Sequence, residues 1–392
     1  MMQSEATLLR ASVAAGGQHS VFIDGEGRLF SSGNEATEIS SDEEEELDPA
    51  AGLLGHGEGV TRLTSPTALP SLLGGEHAES VSAGIHHSLA IAADGSVWSW
   101  GCGIRSGHGD KEDVLQPKKI EAFAGQRVVA VSAGGNHSLA ATADGPVWSW
   151  GHGTFGKLGH GDEQHQLLPK KTEGLAGQRV VDVSAGLCHS LALTAEGDVW
   201  SWGVGWNGVL GHGDEQRHPL PKKMEAFAGQ RVVAVSTRNH TSLAVTADGA
   251  VWSWGNKHPP EKVEGLAGQH VVAASAGNHH SLAVTADGTV WSWGDGMCSG
   301  HGDQKDLQRP QKIEAFAGQR VVAVSAGFEH SLAATADGAV WSWGPGRDGC
   351  LGHGDGQSEE LLPKKIEMWM QRPTPKKQKR AASPQTVPSG AS

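Results

Sequence analysis

One short string recurs along the chain and limits what it can fold into. Trp-Ser-Trp-Gly begins at Trp98, Trp148, Trp200, Trp252, Trp291 and Trp341, and Phe30-Ser31-Ser32-Gly33 is a degenerate seventh copy. After a longer first interval the spacings are 50, 52, 52, 39 and 50 residues. A period of this length marks a repeat architecture, in which each unit buries its apolar face only against its neighbours. The unit is clearest in VVAVSAGFEHSLAATADGAVWSWG at residues 321–344. Val321–Ser325 reads as a β-branched strand, Ser331–Thr335 as a second strand and Val340–Trp343 as a third. Asp337-Gly338 makes a tight hairpin connection, because Asp and Gly tolerate positive φ. The following LGHGD…LLPKKIE at 351–367 supplies a fourth strand. Four short strands in about 50 residues, seven times over, predict an all-β, seven-bladed β-propeller of four-stranded blades.

The two tryptophans of each WSW lie two residues apart and therefore share one face of their strand. Stacked between blades, each contributes about 2–3 kcal/mol of burial. The N-terminus starts partway through a repeat, at Leu8–Gly33, and Leu361–Met368 is the complementary piece. The expectation is a ring closed by strands from both termini, with one blade mixing the two ends and leaving no open sheet edge. The propeller spans residues 8–368, with an acidic insertion at 34–50 and a basic Pro/Ser-containing tail at 371–392.

The net charge of −13 is unevenly distributed. Eight acids and no base fall in residues 34–48, and five bases and no acid follow Gln371. Setting both aside leaves a body of net charge −10. Such a body repels phosphate backbones and argues against direct nucleic-acid binding by the propeller. The acidic run reads as a solvated loop, with capture of a basic partner or phosphorylation at Ser40 or Ser41 as alternatives. In the tail, Lys376, Lys377, Lys379 and Arg380 form a short basic cluster of nuclear-localisation type. Four scattered cysteines without a CxxC pair argue against a disulfide framework and fit a reducing compartment. No apolar run reaches the ~18 residues of a membrane span. The expected setting is nuclear or cytoplasmic, without a membrane.

The combination AGxxHS, ADGxVWSWG and LGHGD resembles the repeats of the regulator of chromosome condensation superfamily. That superfamily includes the nucleotide exchange factor for the GTPase Ran, a plant UV-B photoreceptor and propeller modules of HECT-type ubiquitin ligases. The resemblance implies that the two variable residues of AGxxHS lie on one ring face and contact partners. They are Gly17-Gln18, Ile85-His86, Gly135-Asn136, Leu187-Cys188, Asn239-His240, Asn278-His279 and Phe328-Glu329. His279 matches a histidine of the exchange factor, yet Glu329 is the sole acid among the fourteen, and no wedge-like insertion is evident. None of these loops holds a tryptophan, which argues against photoreception.

Recurrent histidines precede Ser-Leu-Ala or sit in GHGD, and a ring disperses such residues instead of converging them on a metal. Their expected role is hydrogen bonding in turns. His-Ser neighbours such as His137-Ser138 point to opposite strand faces and make poor catalytic couples. Gly151–Lys157 has the spacing of a phosphate-binding loop, but Leu158 stands where a Ser or Thr would hold Mg²⁺. Repeat five departs most: Arg238 replaces the turn glycine, Thr241 replaces the histidine, and GHGD is missing. Arg238, Asn239 and His240 therefore form a candidate contact patch, and Trp206 stands in a polar loop as a candidate anchor. Together with His86, Asn136, Asn278, His279, Phe328 and Glu329 these are the candidate partner-binding residues. No catalytic, metal or cofactor site is expected. The reading is an interaction scaffold for protein partners, such as a small GTPase or a chromatin protein, with exchange activity on a Ran-type GTPase as the alternative.

Overall fold

The computed structural model describes residues 13–35, 51–70, 75–356 and 359–367. The acidic run from residue 36 onward and the basic tail with Lys376, Lys377, Lys379 and Arg380 lie outside the described residues. The described chain forms seven four-stranded antiparallel sheets. Blade one comprises Val13–Ala15, His19–Ile23, Leu29–Asn34 and Arg62–Ala68, and blade seven comprises Val321–Ala326, Ser331–Thr335, Val340–Pro345 and Glu359–Lys365. Blades two to six repeat the pattern, with innermost strands Ala78–Ala83, Val128–Ala133, Val180–Ala185, Val232–Thr237 and Val271–Ala276. These innermost strands line a central cavity of about 260 Å³.

Each blade follows the same local chemistry. The ADG-type turns place glycine at positive φ (84° at Gly338), which lets the second and third strands return in register. The third strand holds its WSW against the short helical turn that closes the preceding blade. Phe123 stands edge-on to Trp148 and tilted against Trp150, with ring centroids 5.8 and 5.9 Å away. Phe227 and Phe316 repeat this for Trp252/Trp254 and Trp341/Trp343. The predicted inter-blade stacking of tryptophan is thus observed, and the turn residue that completes it is Phe or Leu.

One expectation needs correction. Among the described residues no sheet mixes the two ends of the chain, because each is drawn from one continuous segment. Glu359–Lys365 pairs with its own blade through Trp341 opposite Lys365, while blade one has its own outer strand through Phe30 opposite Ala68. Strand pairing uses the backbone, so residues 62–68 serve as an outer strand without the LPKK signature of their siblings. The ring instead closes by side-on packing of blades one and seven. Ala15 N donates to Ser325 Oγ at 3.0 Å, Phe328 N donates to Gly16 O at 3.0 Å, and Ser20 Oγ donates to Cys350 O at 2.8 Å.

Trp202 is fully buried and hydrogen-bonded, whereas Trp206 is 52% exposed. Trp202→Ala is expected to lower unfolding free energy by about 3–5 kcal/mol, and Trp206→Ala by less than about 1 kcal/mol, in urea titrations.

Candidate functional site

Two histidine systems knit the ring. At the start of the second strands, Nε2 of His19, His87, His137, His189, His280 and His330 bonds to the next blade's Ser88, Ser138, Ser190, Ser242, Ser331 and Ser20 at 2.7–3.1 Å. Five of these serines, Ser20, Ser138, Ser190, Ser242 and Ser331, spend their hydroxyl proton on a loop carbonyl. Their histidine partners must then donate, which assigns the Nε2–H tautomer. Burial keeps the set neutral, pushing His19, His189, His280 and His330 down to about 3 and His87 and His137 well below the usual range. The GHGD histidines work within a blade. His56, His108, His160, His212, His301 and His353 reach the WSW-position serines Ser31, Ser99, Ser149, Ser201, Ser292 and Ser342. The expected hydrogen-bonding role holds, although half of these bonds join blades instead of closing turns.

The turn glycines Gly16, Gly84, Gly134, Gly186, Gly277 and Gly327 are explained by the first system together with the next blade's loop carbonyl, which is the nearest atom at Gly84 and Gly134, 2.5 Å away. A Cβ at any of them would lie 2.5–3.1 Å from an atom of the same blade's histidine ring. Blade five has Thr241 in place of histidine, so this obstacle is gone and Arg238 takes the glycine position. The two departures are one event. Arg238 Nη1 reaches across the ring to Ala15 O at 2.9 Å, and burial lowers the guanidinium to about 10, so it stays charged at neutral pH. The cost is local. Backbone bonds of the type Gly17 N to Gly84 O link five neighbouring loop pairs, and among the described residues none joins Leu187 to Arg238 or Asn239 to Gly277. Instead Asn239 Nδ2 donates to Asn278 Oδ1 at 2.8 Å.

The AGxxHS loops and the loops after WSWG share one face, tied by bonds such as Val204 N to Cys188 O and Asp295 N to His279 O. Of the candidate contacts, His279, Glu329 and Trp206 are exposed there, while His86, Arg238, Asn239, His240 and Phe328 are half-buried. Burial lowers His86 to about 3 and also lowers His240. Asn136 and Asn278 are buried and serve the scaffold. Asn136 Oδ1 accepts from Arg105 Nε at 3.0 Å and Nη2 at 2.5 Å. Sequence reasoning passed over Arg105, whose signal is an arginine at a loop position filled by Lys157 or Val209 in other blades. It also passed over Phe155, which stands edge-on to Trp206 at 5.0 Å with Leu187, Val204 and Val209 beside it.

In the segment with phosphate-loop spacing, Lys157 Nζ donates to Thr154 Oγ1 at 2.9 Å and no α-helix follows. The four cysteines are free thiols, and burial drives Cys298 and Cys350 upward, the latter to about 12. Among the described residues no group of three or more His, Cys, Asp or Glu could hold a metal, and no helix is long and apolar enough to cross a membrane.

Comparison with known proteins agrees with this geometry. The RCC1-like domain model matches residues 3–259, and the regulator of chromosome condensation (RCC1) repeat matches 287–334 and 337–383. The chain belongs to the RCC1-like domain family. Among its relatives, the human E3 ubiquitin-protein ligase HERC2 is 38% identical over 178 residues, covering 43% of this chain and 4% of the ligase. The ultraviolet-B receptor UVR8 of Arabidopsis thaliana is 35% identical over 178 residues, covering 45% of this chain and 40% of the receptor. This RCC1-like chain therefore spans less than half the length of those relatives. Human WBSCR16 superposes with a TM-score of 0.71 at 27% identity, over 79% of this chain and 85% of that one. Prp20p of Saccharomyces cerevisiae, characterised for its binding to Gsp1p and histones, gives 0.69 at 23% identity over 82% and 81%.

Two outcomes follow for this RCC1-like ring. The six buried histidines bind protons below pH 6.5 when unfolded but only near or below pH 3 when folded. Stability therefore falls as pH drops through that window. Circular dichroism should show acid unfolding inside it. In a double-mutant cycle, Thr241→His alone should destabilise through contact with Arg238. Adding Arg238→Gly should recover about 1–3 kcal/mol of coupling.

Proposed function

We propose that the AGxxHS face is a docking platform for a protein partner and that the chain carries no catalysis of its own. The observation that supports this most is the aromatic pair Phe155–Trp206 with its apolar bed of Leu187, Val204 and Val209. A half-exposed indole set edge-on against Phe155, which itself packs on that bed, is the kind of anchor that dominates binding energy at protein interfaces. Ile85 and Phe328 extend the apolar surface around the mouth of the central cavity. Arg238 adds one cation there. A nuclear or cytoplasmic setting, drawn from the basic cluster Lys376–Arg380, belongs to the same proposal.

His279 and Glu329, both exposed on this face, support exchange on a Ran-type GTPase as a second reading. Glu329 is its sole acid among the AGxxHS variable positions, and Asn136 and Asn278 are held by neighbours, so little is left to engage a GTPase. Release of labelled GDP from Ran separates the readings. We expect no acceleration by the folded protein, and acceleration abolished by His279→Ala with Glu329→Ala would replace the platform by an exchange factor. Ran and histones are the first partners to offer for binding. For whichever binds, Trp206→Ala should weaken affinity at least tenfold while leaving the melting temperature within a few degrees.

A further inference from the structure

Six of the seven blade junctions are closed by one device. The loop after WSWG presents two successive carbonyls. The first goes to the next blade and the second stays at home. Lys157 O accepts from Ser190 Oγ and Trp202 Nε1, both at 2.8 Å, while Leu158 O accepts from Ser149 Oγ at 2.7 Å. Arg105/Ser106, Val209/Leu210 and Cys298/Ser299 repeat the pair. Leu53 O serves Trp100 and Cys350 O serves Ser20, with Leu54 O and Leu351 O kept within their own blades.

Blade five has no such loop. Its third strand turns directly into the outer strand through Asn256-Lys257, with φ of 51° and 69°, a two-residue hairpin with both central residues left-handed. Three donors are thereby left over: Ser253 Oγ in blade five, and Ser281 Oγ and Trp293 Nε1 in blade six. None has a hydrogen-bond partner among the described residues. Ser253 and Trp293 are half-buried, where Ser149, Ser201, Trp202 and Trp343 are fully buried. All three line one cleft of about 400 Å³, together with His240, Asn256 and His279. The junction beneath stays closed by Ala276 N to Ser236 Oγ at 3.0 Å.

We infer that this cleft is a docking slot for a main-chain loop of a partner protein, one that presents two successive carbonyls followed by Gly-His, as the sibling loops do. The partner's first carbonyl takes the protons of Ser281 and Trp293, and the second takes that of Ser253. The partner's histidine then approaches Ser253 as His160 approaches Ser149. Every loop of this kind within the described ring is already engaged in its own junction, so the occupant comes from another chain.

The test uses the full chain and a dye-labelled peptide of the sibling sequence WNGVLGHGD (206–214). Fluorescence polarisation should show saturable binding, and the Trp293 indole N–H resonance, assigned by its loss in Trp293→Phe, should shift on titration. Trp293→Phe and Ser281→Ala should each weaken binding at least fivefold, and Ser281→Ala should leave thermal melting unchanged because its hydroxyl has no hydrogen-bond partner to lose. Replacing Asn256-Lys257 by residues 204–217 should fill the slot from within, slow exchange of the Trp293 indole proton and abolish peptide binding. Absence of saturable binding at millimolar peptide, equal binding of a scrambled peptide, or a graft that leaves the Trp293 proton fast would each overturn the slot.

Discussion

The ring depends on a carbonyl received across six of its seven blade junctions. A propeller blade cannot bury its own broad face, so the energy that orders the fold has to come from between blades. Tryptophan supplies the apolar part, but apolar burial is non-directional and does not set how far one blade turns against the next. The indole N–H does. Trp150, Trp202, Trp254 and Trp343 each hold a neighbour's loop carbonyl at 2.8 Å, which fixes ring, loop and blade angle together. In blade one, which lacks the tryptophan, Ser32 Oγ reaches Cys350 O at 3.4 Å and keeps the same contact in weaker form.

The departures of repeat five make sense as a set against this device. Without the GHGD loop there is no carbonyl for blade six and no histidine for Ser253. With Thr241 where the siblings have histidine there is no donor for Ser281, and the space released admits a side chain at residue 238. That side chain is an arginine, and it spans the ring to Ala15, the strand where the chain begins its first blade. A junction that loses its closing contacts has in this way gained a cross-ring tie beside it. Blade five remains joined to its neighbours at the innermost strand, through Thr237 N to Ser184 Oγ and Ala276 N to Ser236 Oγ. The opening is therefore confined to the outer half of the junction.

How much of this could be read from residues alone varies with the kind of contact. The strands, the blade number and the tryptophan stacking were legible because they rest on spacing two, hairpin turns and a fixed period. The seam between first and last blade was not, because residues 62–68 form an outer strand through backbone pairing and carry none of the side-chain signature of their siblings. The histidines were assigned hydrogen bonds, yet the partner of His137 is Ser190, fifty-three residues away, and only the ring brings them together. Asn136 and Asn278 looked like contact residues because they occupy variable loop positions. A variable position is equally free to bind inward, and Arg105 and Asn239 are the inward partners. Arg238 and Thr241 both stand out as oddities of the repeat. Their connection needed the distance from a glycine Cβ to a histidine ring.

The aromatic patch and the open junction are neighbours, and this bears on what the face can do. Trp206 and Asn207 belong to the loop of blade four, and Lys257 N of the blade-five hairpin donates to Asn207 O at 2.8 Å. The short hairpin that opens the slot is thus fastened beside the exposed indole. A partner seated on Trp206 would have the slot within reach of the same binding event. An anchor that supplies apolar burial and a slot that supplies directed hydrogen bonds are complementary: the first sets affinity, the second fixes register. Here the two serines and the indole occupy the repeat positions whose counterparts close the intact junctions, and all three line one cleft of about 400 Å³.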